Sequence, residues 1–146
     1  MTVIYHGVRD IFSPSANGDE RENFLLAVSD IYVQKNLHTL IQALTIVKLE
    51  FPDISLKIAG RAIDLGYLEE LKATARTFEI EDSLIFLGER PTEDLVELYR
   101  KCKLFIFPST VETFGNPLVE AMACGAPIAT SNTAAMPEIV GDAARF

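Results

Sequence analysis

The apolar residues of this chain gather into five short runs, at residues 24–28, 54–59, 84–87, 104–107 and 127–130, each bounded by polar residues or glycine. Continuous apolar runs of this length predict strands buried on both faces, as in a parallel sheet. Residues 2–5 predict one further strand at the start. Between the runs the pattern turns helical. Leu37, Leu40, Ile41, Leu44, Val47 and Phe51 share one apolar stripe, with Asn36 placed to cap it. Leu68, Leu71, Ala75 and Phe78 form a second stripe on a charged segment. Thr92 caps a third helix, which carries Glu93 and Asp94 where the dipole favours acids and buries Leu95, Leu98, Tyr99 and Cys102. A fourth has Asn116 at its cap, Pro117 at its first position and Gly125 just past its end. Strand and helix alternate throughout, which predicts a doubly wound α/β parallel sheet with right-handed crossovers. Residues 13–23 are polar and read as a surface loop.

Composition narrows the picture. At 146 residues and 49% hydrophobic, the chain supports one well-buried domain. A net charge of −8 argues against nucleic acid or an anionic membrane as principal partner, since both demand surplus Lys and Arg. No apolar stretch approaches the roughly 20 residues that span a bilayer, and nothing reads as a signal peptide. Cys102 and Cys124 lack a CxxC or Cys/His cluster and read as small buried hydrophobes of a reduced, cytoplasmic protein. His6 and His38 alone are too few to predict a metal site.

In an open α/β sheet, ligands bind beyond the carboxyl ends of the strands. Here the first strand runs into residues 29–36, which contain Lys35. The second ends at Gly60-Arg61, the third at Gly88-Glu89-Arg90, and the fourth opens into residues 109–115. Polar and glycine residues therefore converge on one edge. From Pro108 to Glu120 the chain passes from a strand end, through Gly115, into a helix start. Such a start presents unpaired N–H groups that suit a phosphate, and Gly115 lets a ligand approach the backbone. Glu112 and Glu120 border the same cleft, and carboxylates accept hydrogen bonds from vicinal hydroxyls. Taken singly, Asn116-Pro117 is also ordinary capping and Glu120 an ordinary early-helix acid. The absence of GxGxxG and GxxxxGK[ST] removes the two commonest nucleotide fingerprints.

These residues carry a resemblance over nearly the whole chain. The entry Val3-Ile-Tyr-His-Gly-Val8, the Lys35-Asn36 pair before an amphipathic helix, and Glu112-Thr-Phe-Gly-Asn-Pro-Leu-Val-Glu120 stand in family order. Glu120-Ala-Met-Ala-Cys-Gly-Ala-Pro127 and Pro137-Glu138 complete it. The chain resembles the Rossmann-like C-terminal, donor-binding domain of GT-B retaining glycosyltransferases of family 4, the glycosyl transferases group 1. The resemblance implies that Lys35 neutralises the donor diphosphate and stabilises the leaving nucleotide. It places Glu112 against the transferred sugar and Glu120 against the ribose hydroxyls. Phe114, Gly115, Asn116, Pro117 and Leu118 would cradle phosphate and sugar through their backbone, with Gly60, Gly88 and Glu89 near the base. Transfer would proceed with retention, a donor phosphate oxygen taking the acceptor proton, without a metal or other cofactor.

Two departures from the family pattern stand out. Where the family commonly has Gly-Arg a few residues before the lysine, this chain has Ser29-Asp30, and Arg61 and Arg90 are the remaining cations of that edge. The chain is also expected to lack the N-terminal acceptor-binding domain and the last strand and helices, so that the fragment alone is inactive. The expected partners are a nucleoside-diphosphate sugar and, through the missing domain, a glycan, lipid or small-molecule acceptor of polysaccharide or glycolipid synthesis, with peripheral membrane association of the parent. The competing expectation is a non-catalytic nucleotide- or sugar-binding module of the same fold.

Overall fold

The computed structural model describes residues 2, 4, 6–16, 18 and 20–146. Its elements run β1 (Phe24–Val28), a 3-10 turn (Val33–Lys35), α1 (Leu37–Glu50), β2 (Ser55–Ala59), α2 (Leu65–Thr77), a second 3-10 turn (Glu81–Ser83) and β3 (Leu84–Gly88). Then follow α3 (Thr92–Lys101), β4 (Leu104–Phe107), α4 (Asn116–Ala123), β5 (Ile128–Thr130) and α5 (Met136–Val140). All strands are parallel, in the order β3-β2-β1-β4-β5. The five apolar runs are thus the five strands. The expected strand at residues 2–5 is not formed by Thr2 or Ile4, and its other members, Val3 and Tyr5, lie outside the described residues.

The central strand explains the two layers. Along β1 every residue is buried, and the pleat sends alternate side chains to opposite faces. Phe24, Leu26 and Val28 pack with Val96, Tyr99, Leu118, Ala121 and Met136, which come from α3, α4 and α5. Leu25 and Ala27 pack with Leu37, Ile41, Leu44, Tyr67 and Leu71, from α1 and α2. Helices therefore cover both faces, as a parallel sheet requires.

Element boundaries depart from expectation where capping is concerned. Asn36 does precede α1, but in the left-handed region (φ 54°) and without a side-chain cap bond. Its side chain instead donates to the Pro108 carbonyl (3.2 Å) and accepts from the Thr39 hydroxyl (2.8 Å). Thr92 is the first residue of α3 rather than its cap, and its hydroxyl accepts from Arg9 (2.8 Å). α4 begins one residue early, capped by Gly115 in the left-handed region (φ 83°). Two residues expected in the helical stripes, Phe51 and Phe78, are exposed at the helix ends. The described part of residues 13–23 is irregular, and Arg21 ties it down by donating to the carbonyls of Cys102 (3.0 Å) and Gly125 (2.7 Å). Cys102 and Cys124 are buried and unbridged, and burial pushes the Cys102 thiol up to about 12, which leaves it inert as a nucleophile. Among the described residues, no helix is long and apolar enough to cross a membrane.

The order of strands locates the site. From β1 the chain winds outward through β2 to β3, then crosses back to β4 on the other side of β1 and continues to β5. The loops leaving β1 and β4 therefore diverge at a topological switch point. There an open sheet leaves a crevice for a ligand.

Candidate functional site

Two loops meet at this switch point and are fastened together. From the loop after β1, the Gln34 carbonyl accepts from both the amide (3.0 Å) and the hydroxyl (3.2 Å) of Thr110. Asn36 reaches the Pro108 carbonyl from the same loop. Between these contacts the Lys35 ammonium donates to the Glu112 carboxylate, with side chains only 12% and 15% exposed. The rings of Tyr32 (5.3 Å) and Phe107 (5.6 Å) flank the ammonium. Burial opposes charge on Lys35, but the Glu112 carboxylate outweighs it and raises the ammonium's pKa above the ordinary lysine value. Lys35 is a charged group in a partly desolvated slot, where an anion is held by preference.

Beside this pair begins α4. Gly115 takes the left-handed turn that aims the helix, and a Cβ there would meet Leu118 at 3.2 Å and Phe107 at 3.4 Å. Pro117 has no amide to give, and the Leu118 amide already donates to the Gly115 carbonyl (2.9 Å). Leu118 itself is fully buried in the core. Its backbone N–H is spent on the cap. Among the described residues, the amides of Gly115 and Asn116 make no backbone bond, which leaves them as the donors of this helix start.

Most of the remaining expected residues line two cavities. One of about 190 Å³ is lined by Ser29, Asp30, Gly60, Glu89, Arg90 and Pro117, among others. Gly60 is there of steric necessity: a Cβ would sit 1.9 Å from the Ser29 carbonyl oxygen. Gly88 ends β3 with φ 70° in open space, so its glycine answers to conformation alone. The second cavity, also about 190 Å³, holds Asn116 and Glu120 against His6, Gly7 and Arg9. Phe114 packs against His6, with ring centroids 5.0 Å apart and the planes tilted by 31°. Glu120 accepts a hydrogen bond from the Tyr99 hydroxyl (3.0 Å), and burial raises its carboxyl pKa against the opposing pull of Tyr99 and Arg9.

Asp30 is engaged where sequence left it unexplained. Arg61 donates to it through its guanidinium (2.9 and 3.4 Å) and its backbone amide (3.0 Å). The Arg61 bond holds the Asp30 carboxyl below its ordinary value. Arg90 turns back onto the Leu87 carbonyl. Sequence reading missed Tyr99, which it placed in the core, and the aromatic walls supplied by Tyr32 and Phe107. No spacing joins those residues to the site, because their contacts cross from one element to another.

The sequence model for glycosyl transferases group 1 matches residues 8–145. The chain belongs to that family. Among its relatives is the serotype-specific mannosyltransferase WbdA of Escherichia coli, 36% identical over 121 residues, covering 82% of this chain and 15% of WbdA. The O-antigen chain mannosyltransferase RfbU of Salmonella typhimurium is 30% identical over 146 residues, 100% of this chain and 39% of that one. In three dimensions the chain matches Anabaena HepE in complex with UDP and glucose, with a TM-score of 0.83, 27% identity, and coverage of 94% of this chain and 40% of HepE. The C-terminal domain of the group 1 family protein LpcC from Francisella tularensis shares the fold, at a TM-score of 0.79. The chain is thus a Rossmann-like C-terminal domain of the GT-B fold, and it spans less than half the length of WbdA, RfbU and HepE.

Proposed function

We propose that this domain binds a nucleoside-diphosphate sugar across the switch point, and that the protein carrying it transfers the hexose to an acceptor with retention. The observation that carries this reading is the slot in which Lys35 and Glu112 meet beside the start of α4. A cation and adjacent backbone N–H donors suit a diphosphate, and a carboxylate at the same point suits sugar hydroxyls. The complex of HepE with UDP and glucose supports a ligand of this class.

In this reading Lys35 and the amides of Gly115 and Asn116 take the diphosphate, Glu112 the sugar and Glu120 the ribose. Gly60, Gly88 and Glu89 border the base. As the bond between the sugar carbon and the diphosphate oxygen breaks, charge grows on the diphosphate beside Lys35. The acceptor oxygen bonds the same carbon from the same face and gives its proton to the departing phosphate oxygen. The charge falls to Lys35 and the helix start rather than to a metal ion. RfbU is an O-antigen chain mannosyltransferase, which favours a glycan acceptor held outside these 146 residues, and in this reading the transfer has a cytoplasmic setting.

Calorimetric titration of the 146-residue chain with UDP, GDP and ADP, and with their sugar conjugates, tests the reading. One nucleoside diphosphate is expected to bind selectively, with no sugar transfer by the chain alone. Absence of binding to all of them would overturn it. A non-catalytic binding module predicts the same binding but no transfer by the whole protein. The presence of Lys35, Glu112 and Glu120 together at one edge favours the enzyme.

A further inference from the structure

Tyr99 lies in α3 with no exposed surface, its ring edge-on to Phe105 (centroids 5.3 Å) and to Phe12 (6.1 Å). Phenylalanine would fill that apolar space equally well. A buried hydroxyl without a partner is destabilising, so a tyrosine here implies a bond that its hydroxyl makes. Among the described residues that bond goes to one group, the Glu120 Oε2, at 3.0 Å. The phenol therefore reaches out of the core to a carboxylate on the wall of a polar cavity.

The geometry of the acceptor explains why this matters. A glutamate side chain rotates freely about its last bond unless something holds it. To accept from two neighbouring hydroxyls at once, a carboxylate must keep one plane, and its remaining lone pairs must face the ligand. A donor fixed in a packed core and bonded to Oε2 removes that rotation and leaves Oε1 directed elsewhere. Arg9 and His6 face the same carboxylate from the preceding segment, and Cys124 lies one turn further along α4.

We propose that Tyr99 is a positioning residue for the nucleotide: it locks the Glu120 carboxylate in the plane that accepts both hydroxyls of a ribose, and so sets discrimination between ribonucleotides and 2′-deoxyribonucleotides. This rests on the reading of Glu120 as the ribose acceptor.

The test titrates UDP, GDP and their 2′-deoxy counterparts into the wild-type chain, Tyr99→Phe and Glu120→Gln. Wild type is expected to prefer the ribonucleotide by roughly tenfold or more, the scale of a charge-assisted hydrogen bond. Tyr99→Phe narrows that preference to about two- or threefold through the ribonucleotide alone, as expected when an acceptor is kept but loses its fixed geometry. A ratio of two affinities in one variant is independent of how much of it is folded. A second readout is pH. Removing a donor from the carboxylate raises its pKa further, so ribonucleotide affinity falls away at higher pH in Tyr99→Phe than in wild type. His6 and Arg9 line the same cavity for both ligands, so the difference between the two ligands isolates Glu120. A wild type that binds neither nucleotide or shows no ribose preference, or a Glu120→Gln variant that keeps the preference, overturns the ribose reading and this inference with it. A preference abolished in Glu120→Gln but intact in Tyr99→Phe, with an unmoved pH profile, overturns the role of Tyr99 alone.

Discussion

Lys35–Glu112 and Asp30–Arg61 are ion pairs on the same edge of the sheet, in unlike surroundings. The first is nearly withdrawn from water, flanked by Tyr32 and Phe107, and stitched into two loops. In the second, side-chain exposure is 31% for Asp30 and 58% for Arg61, and water competes for every bond. Coulomb attraction at one distance is several times stronger where the effective dielectric is low. A charge in such a place also needs a partner at all times, since leaving it bare is costly. Under the proposed function, Glu112 is the partner that a phosphate oxygen would replace against Lys35. Arg61 has no such constraint. Sequence alone ranks the two cations by neighbourhood in the chain, whereas burial ranks them by what they can do to a ligand.

The largest expected effect comes from removing the buried cation. Lys35→Met keeps the hydrocarbon stem and leaves Glu112 without its partner. A fully buried pair broken this way costs about 3–5 kcal/mol, and the residual exposure here reduces that to about 1–3 kcal/mol. Thermal unfolding should show a drop of roughly 3–10 °C for a chain of this size. Nucleoside diphosphate affinity should fall about tenfold or more. In a whole protein carrying this domain, single-turnover rates with saturating donor should fall further than affinity does, because charge on the diphosphate grows as the bond breaks. A folded variant with unchanged affinity and rate would remove Lys35 from the site.

The next effect has the opposite sign and is more diagnostic. If Glu112 competes with phosphate for Lys35, Glu112→Gln should bind the bare nucleoside diphosphate more tightly, by about three- to tenfold, because a neutral amide releases the ammonium at lower cost. The same variant should lose the extra affinity that the attached sugar provides. Calorimetry with matched pairs, UDP against UDP-glucose and GDP against GDP-mannose, measures both. Uniform weakening across each pair would show that Glu112 is only a brace for the loop.

Much of this arrangement was legible beforehand, for a physical reason. Buried parallel strands need continuous apolar runs, so residues 24–28 announce themselves; 104–107 and 84–87 keep the run, although β3 is an edge strand with Ile85 exposed. The switch-point rule brings Lys35 and Glu112 to one edge, where the structure pairs them. Caps were less legible. Asn36, Thr92 and Asn116 have the right chemistry to cap, yet Asn36 bonds the Pro108 carbonyl, Thr92 receives Arg9, and Gly115 takes the turn. A short polar side chain has several partners of similar energy, and tertiary contacts choose among them. Tyr99 lies in the core, as its place in the helical stripe predicts, but the sequence carries no signal for its bond to Glu120, nor for that of Asp30 to Arg61. Their partners, Glu120 and Arg61, come from elements distant in sequence, and no periodicity encodes such a pairing.

The smallest expected effect sharpens the comparison from its exposed side. Arg61→Ala should lower the melting temperature less than Lys35→Met does, and weaken nucleoside diphosphate binding only slightly. Both differences should shrink in about 1 M salt, where the Debye length is roughly 3 Å. The pH dependence follows from Asp30, whose carboxyl is held below its ordinary value chiefly by the Arg61 bond. A depressed carboxyl contributes stability above its unfolded pKa and loses it as pH falls through the folded one. Wild type and Arg61→Ala should therefore differ most near neutral pH and converge in acid, once Asp30 is protonated in both. Melting curves at low and high salt, from pH 7 down through the carboxylate range, read this directly. If Arg61→Ala instead cuts nucleotide affinity as deeply as Lys35→Met, at high salt as well as low, then the exposed pair carries the diphosphate and the ranking by burial is reversed.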